Sequence, residues 1–267
     1  MNRFIARAFI VPVALAILLA PRVRLAAQEQ HGDATETKAP APATPAPHTG
    51  AYWVQFDHQL LVDFGDMAHF HDADLKLGPP APGENRVVFM GDSITAGWHL
   101  DQSFPGKPYV NRGISGQTSP QMLVRFRQDV IDLHPKAVVI LAGTNDIAGN
   151  TGPMTLEQTE GNLESMAQLA TANHIRVVLC SVLPSVDYWW NPGQHPAPKI
   201  AALNVWTKAY AAKNHYVYVD YYSAMKDAEG GLPPALSKDG VHPLPAGYAV
   251  MAPLAEAGIE RALRSRE

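Results

Sequence analysis

Val87-Val88-Phe89-Met90, followed at once by Gly91-Asp92-Ser93-Ile94-Thr95, is the stretch on which the fold turns. The apolar run reads as a β-strand. It stops at a glycine and hands a serine to the start of the next helix. A helix N-terminus offers unpaired N–H groups and a partial positive charge. An oxyanion forming beside Ser93 would be stabilised there. The plainer reading is a strand-to-turn junction with a serine N-cap. Short Gly/Asp/Ser turns are common, so the junction takes its weight from the segments around it.

Working outward, apolar runs alternate with helical patterns. Tyr109-Val110-Asn111 reads as a short second strand. Between Pro120 and Leu133, apolar residues at 122, 123, 126, 130 and 133 have helical spacing. Ala137–Leu141 is apolar throughout, which suits a parallel strand covered on both faces. Helices are expected over 156–172, 197–213 and 245–264, and strands over 176–182 and 216–219. Pro245 suits the first turn of the last helix. This rhythm predicts an α/β fold, a three-layer α/β/α sandwich with about five parallel strands. Ligands of such sheets bind beyond the carboxyl ends of the strands. Ser93, Gly113 and Asn145 all fall just there. Upstream, Leu60, Leu61, Phe64 and Met67 are expected to form a helix face on the sheet. His69-Phe70-His71-Asp72 reads as the polar face of a helix with Phe70 inward, rather than as metal ligands.

The whole chain has 267 residues, 46% hydrophobic and 17% charged, with a formal net charge of −4. That suits one globular domain with extensions. The sequence has no Lys/Arg stripe, which argues against a nucleic-acid partner. Its single cysteine, Cys180, excludes an intrachain disulfide and sits in an apolar run, the setting of a buried structural thiol. Arg3 and Arg7, the apolar stretch from Ala8 to Ala20, and Ala26-Ala27 together read as a signal peptide over 1–27. An uncleaved anchor is the alternative, although the stretch is short for a membrane span. Residues 28–50, with Pro40, Pro42, Pro45 and Pro47, read as an extended linker. The folded domain is expected over 51–267, exported to the periplasm or the medium, with no stable membrane insertion once the signal is removed.

Three more segments carry candidate chemistry. In Asn111-Arg112-Gly113-Ile114-Ser115-Gly116-Gln117-Thr118, glycines can free backbone N–H groups to approach a ligand. In Gly143-Thr144-Asn145-Asp146, the neutral amide of Asn145 can face a developing negative charge, or merely make an Asx-turn. Asp146 reads as a structural cap. In Asp239-Gly240-Val241-His242-Pro243, the carboxylate can hold one ring nitrogen while the other takes a proton from a serine.

These four segments, in order over most of residues 84–255, resemble the SGNH hydrolase superfamily, also called the GDSL family of esterases and lipases. Ile94 stands where the family usually has leucine. The resemblance implies a flavodoxin-like sheet and acyl transfer through a covalent acyl-enzyme. Ser93 would be the nucleophile, His242 the general base and then acid, and Asp239 the residue that orients His242. The oxyanion hole would comprise the Ser93 N–H, the Gly113 N–H and the Asn145 amide. The chemistry implies no metal and no organic cofactor.

The ester itself is less legible. The loop after the fourth strand carries Tyr188-Trp189-Trp190 and His195. Its aromatics can stack on a sugar or line an acyl slot, or else pack the loop onto the following helix. With Trp98, these four are the candidate substrate contacts. The leading expectation is a small acyl ester, first of all acetyl, on a small molecule or glycan. The alternatives are a lysophospholipase- or thioesterase-like acylhydrolase for longer chains, and a non-catalytic glycan-binding module.

Overall fold

The computed structural model describes residues 50–264. The signal expected over 1–27, and the linker expected over 28–50 apart from its last residue, lie outside the described residues. The described chain runs through α1 (Ala51–Val62), α2 (His71–Leu77), β1 (Val87–Gly91), α3 (Ser93–Ala96), α4 (Leu100–Ser103), β2 (Tyr109–Gly113) and α5 (Ser119–Asp129). It continues through β3 (Ala137–Leu141), α6 (Thr144–Ala148), α7 (Leu156–Ala172), β4 (Arg176–Cys180), α8 (Ala197–Lys213), β5 (Val217–Val219), α9 (Tyr221–Met225) and α10 (Pro245–Arg264). Local chemistry sets the boundaries. The side chain of Thr155 accepts from the Gln158 N–H, while Gln158 Oε1 accepts from the Thr155 N–H, a reciprocal cap at the start of α7.

All strand pairings are parallel, in the order β2-β1-β3-β4-β5. The connections leave β1 in one direction and return to the other side at β3. The β1/β3 boundary is therefore the switch point at which such sheets open a crevice at their carboxyl ends. Ser93 follows β1 and Asn145 follows β3.

Both faces of the sheet are covered, which explains the unalternated strands. Val88, Met90, Val138 and Ile140 face one core with Met122 and Phe126 of α5, Leu163 and Met166 of α7, and Ile200 and Leu203 of α8. Val87, Phe89, Val139 and Leu141 face the other, with Met225 of α9 and Met251, Ala255 and Ile259 of α10. Each fully buried side chain of this kind contributes about 1.5–3 kcal/mol, and truncating one to alanine costs about 2–5 kcal/mol.

The segment before β1 departs from the expectation. Leu61 is 86% exposed, Phe64 39% exposed, and Leu60 and Met67 only half-buried; α1 ends at Val62, and none of the four joins either core. Hydrogen bonds dock this segment instead. Gln117 donates to the Gly65 carbonyl at 2.9 Å, Gln121 to Phe64 at 2.8 Å and Gln128 to Met67 at 2.7 Å. Polar side chains on and just before α5 thus replace the apolar seam that the spacing suggested. Phe70 is half-buried, with the Arg112 guanidinium 4.6 Å from its ring centre.

Candidate active site

The turn after β1 divides its labour among consecutive residues. Asp92, not Ser93, caps the short helix: its Oδ1 accepts from the Ile94 N–H at 2.9 Å. The Ser93 hydroxyl is therefore left for another partner. That partner is His242, whose Nε2 lies 2.9 Å from Ser93 Oγ. His242 Nδ1 is 2.7 Å from Asp239 Oδ2, and Asp239 Oδ1 accepts from the N–H groups of Val241 and His242 at 3.0 and 2.8 Å. Ser237 Oγ donates to Asp239 Oδ1 and accepts from the Gly240 N–H, and the buried Val241 anchors the turn. Burial raises the carboxyl pKa of Asp239. The hydrogen bonds from the His242 ring and from the two N–H groups outweigh it and hold Asp239 well below the usual carboxylate range.

Asn145 lies 3% exposed at the start of α6. Its Nδ2 donates to the Gln117 carbonyl at 3.0 Å and is 3.4 Å from Asp92 Oδ2. Its Oδ1 accepts from Asn150 Nδ2 at 3.0 Å. Asp146 points away, accepting from both the N–H and the hydroxyl of Ser119 and thereby tying α6 to α5. Arg125, fully buried, pairs with Asp129 at 2.8 Å and donates to Gln117 Oε1 and to the Gly91 carbonyl. Sequence reading missed this arginine, which ties α5 to the end of β1 and to the loop beside Asn145. Losing one partner of such a buried pair costs about 3–5 kcal/mol. Asp92 is the unusual carboxyl. Burial, assisted by the Asp146 charge and opposed by the Ile94 N–H and His242, pushes it up to about 7.

The two glycines of the 111–118 loop have different jobs. The Gly113 N–H donates to Asn111 Oδ1 at 2.9 Å, and Gly113 does not line the pocket at Ser93. A Cβ there would sit 2.2 Å from the Ala96 nitrogen, so Gly113 permits the close approach of β2 and α3. Gly116, three residues on, lines the pocket with Ser93, Ser115 and Asn145. Its φ of +80° suits glycine. Among the described residues no acceptor takes the Gly116 or the Ser93 N–H.

This pocket has a volume of about 270 Å³ and is walled by Tyr52, Trp53, Trp189 and Trp190, with Asn150 at its base. A larger cleft of about 450 Å³ lies at the opposite strand ends, beside His174, Arg176 and Tyr216, and shares no residue with the Ser93 pocket. The expected substrate contacts separate. Trp189 is 64% exposed and Trp190 half-buried, and both face the pocket. Tyr188 is fully buried and stacks behind Trp190 at 4.9 Å. Trp98 is buried among Phe89, Phe104 and Tyr248, its indole N–H donating to Ser103, so it is a core residue. His195 is exposed and does not line the pocket. Tyr52, Trp53 and Asn150 line the pocket, and no sequence pattern marked them.

Comparison with known proteins agrees with this fold. Residues 89–250 match the profile of the GDSL-like lipase/acylhydrolase family. A candidate acylhydrolase from Bacteroides fragilis is 48% identical, with a TM-score of 0.73 over 76% of this chain and 99% of that one. Esterase TesA of Pseudomonas aeruginosa is 31% identical over 59% of this chain and 79% of its own length. An acetylxylan esterase from Geobacillus stearothermophilus, 24% identical with a TM-score of 0.56 over 70% of this chain and 99% of that one, shares the fold. With the profile covering more than half its length, the chain belongs to the GDSL-like lipase/acylhydrolase family of ester hydrolases.

Proposed function

We propose that this enzyme is an exported serine esterase that removes small acyl groups, first of all acetyl, from the hydroxyls of carbohydrates. The observation that carries the proposal is the continuous line Asp239–His242–Ser93, with contacts of 2.7 and 2.9 Å, opening into the aromatic-walled pocket. In this reading His242 Nε2 takes the Ser93 proton as Oγ attacks the ester carbonyl. The tetrahedral intermediate collapses, the C–O bond to the alcohol breaks, and the proton on His242 passes to the departing alcohol. Water, deprotonated by His242, then attacks the acyl-enzyme, and Ser93 recovers its proton as the acid leaves.

The oxyanion would meet the N–H of Ser93, the Asn145 amide, and the N–H of Gly116 rather than that of Gly113. The long 3.4 Å contact of Asn145 Nδ2 with Asp92 is the one that an oxyanion displaces. The pocket volume of about 270 Å³ lies just under the roughly 300–1,000 Å³ of sites for drug-sized ligands, which favours a short acyl group. Exposed Trp189 and Tyr52 offer flat faces on which a sugar ring stacks. The export signal expected over 1–27 belongs to the same reading.

A series of p-nitrophenyl esters from acetate to palmitate tests it. The expected kcat/KM is highest at acetate and falls with chain length. A rate that rises with chain length overturns the short-acyl assignment and favours the lysophospholipase or thioesterase reading.

A further inference from the structure

Trp190 and Asn150 are joined to Asn145 by a directed series of hydrogen bonds. The Trp190 indole N–H donates to Asn150 Oδ1 at 2.9 Å. Asn150 Nδ2 donates to Asn145 Oδ1 at 3.0 Å and to the Gly116 carbonyl at 3.0 Å. Asn145 Nδ2 is thereby turned toward the Gln117 carbonyl and Asp92, on the Ser93 side. An indole N–H can only donate and a backbone carbonyl can only accept, whereas a primary amide fits either way round. The two ends of the series therefore fix both amides. A flipped Asn150 would aim its NH2 at the indole N–H and its oxygen at two other oxygens. A flipped Asn145 would aim its NH2 at that of Asn150 and its oxygen at the Gln117 carbonyl. Both asparagines are only 3% exposed, so little water is at hand to satisfy the wrong orientation.

From this we propose that Asn150 and Trp190 are positioning residues that hold the Asn145 amide with its hydrogens toward the reacting oxygen. Trp190 would thus wall the pocket with its ring and polarise the network with its N–H. The inference rests on the reading of Asn145 as an oxyanion donor.

Four variants, alone and in combination, decide it: Asn145→Ala, Asn150→Ala, Asn150→Asp and Trp190→Phe, assayed for kcat and KM on p-nitrophenyl acetate, with thermal melts as a control for folding. Trp190→Phe keeps an aromatic ring against Tyr188 but removes the N–H together with the five-membered ring, so its effect is read through its dependence on Asn145. It is expected to lower kcat about 3- to 10-fold, the scale of one hydrogen bond, with little change in KM. Asn150→Ala is expected to lower kcat about 10-fold or more, and Asn150→Asp about 100-fold, because a carboxylate facing Asn145 Oδ1 turns the amide around, and small misplacements of a catalytic group cost that much. In the Asn145→Ala background, both Asn150→Ala and Trp190→Phe should lose their effect on kcat, since residues that act through one group are non-additive.

Unchanged kcat in folded Trp190→Phe and Asn150→Ala overturns the proposal. So does a loss of the same size with and without Asn145, which marks a purely structural role. If Asn150→Ala fails to fold, Trp190→Phe measured with and without Asn145→Ala separates the same two outcomes. An Asn145→Ala enzyme with undiminished kcat refutes the oxyanion reading itself, an outcome distinct from failure of the relay alone.

Discussion

The Gly113 N–H donates to Asn111 Oδ1 at 2.9 Å, and this bond is the reason the proposed oxyanion role goes to Gly116 rather than to Gly113. It also separates packing from chemistry. A methyl group on Gly113 would meet the Ala96 nitrogen at 2.2 Å and the Asp92 carbonyl at 2.7 Å, backbone atoms with no room to yield.

Gly113→Ala is therefore expected to act on stability. Overpacking of this kind costs about 3 kcal/mol, which lowers Tm by about 6–12 °C in a domain of this size. Differential scanning fluorimetry checks it. An unchanged Tm would mean that β2 and α3 are less tightly juxtaposed than described.

Asp239→Asn should cost far more activity than stability. The amide can still accept from the N–H groups of Val241 and His242, but its NH2 turned to Nδ1 selects the wrong imidazole tautomer. In serine hydrolases of known mechanism, a carboxylate-to-amide change of this sort costs about 10⁴-fold in kcat. Steady-state kinetics with a melting control is the measurement. Loss of less than about 10-fold would show that the backbone around His242 orients the ring without the carboxylate.

Asp92 makes stability depend on pH. Its pKa is pushed up to about 7 from an ordinary value of 3.8, chiefly by burial. The folded chain thus keeps a proton that the unfolded chain releases. The stability from the neutral carboxyl is fully present below 3.8 and is lost as pH rises through about 7. Asp92→Asn retains an oxygen for the Ile94 N–H and removes the titration. The Tm of the parent minus that of the variant should fall steadily from about pH 4 to about pH 8. A constant difference across that range would contradict the assignment of a raised pKa.

The layers were legible because burial on both faces leaves a plain mark, an apolar run such as Ala137–Leu141, and because helices such as 156–172 and 197–213 carry their own boundaries. That Ser93, Asn145, Asp239 and His242 would gather at the carboxyl ends of the strands was legible because each follows or closes a short motif whose residue types suit one chemistry. What failed to show depends on where individual side chains turn. Gly113 and Gly116 are told apart by the Asn111 side chain, which bends back to take the Gly113 N–H, and by the close approach of α3 to Gly113, neither of which a glycine-rich sequence reports. Trp98 follows the four-residue helix α3, too short for any periodicity to say which way its ring turns. Three consecutive aromatics separate, Tyr188 into the core and Trp189 and Trp190 to the pocket wall, since a loop has no period to read. Tyr52 and Trp53 reach the pocket from α1, and α1 leads into a segment docked by glutamines on and just before α5, a pattern that apolar spacing does not report.

The most direct test of the account is covalent trapping. A fluorophosphonate should label the folded enzyme once, with phosphorus bonded to Ser93 Oγ and fluoride released, and ester hydrolysis should disappear in step with labelling. Mass spectrometry of the intact protein and of the peptide containing Ser93 reads this out. Ser93→Ala is expected to take no label, and His242→Ala to label slowly. A label on another residue, or hydrolysis that persists in folded Ser93→Ala, would contradict it.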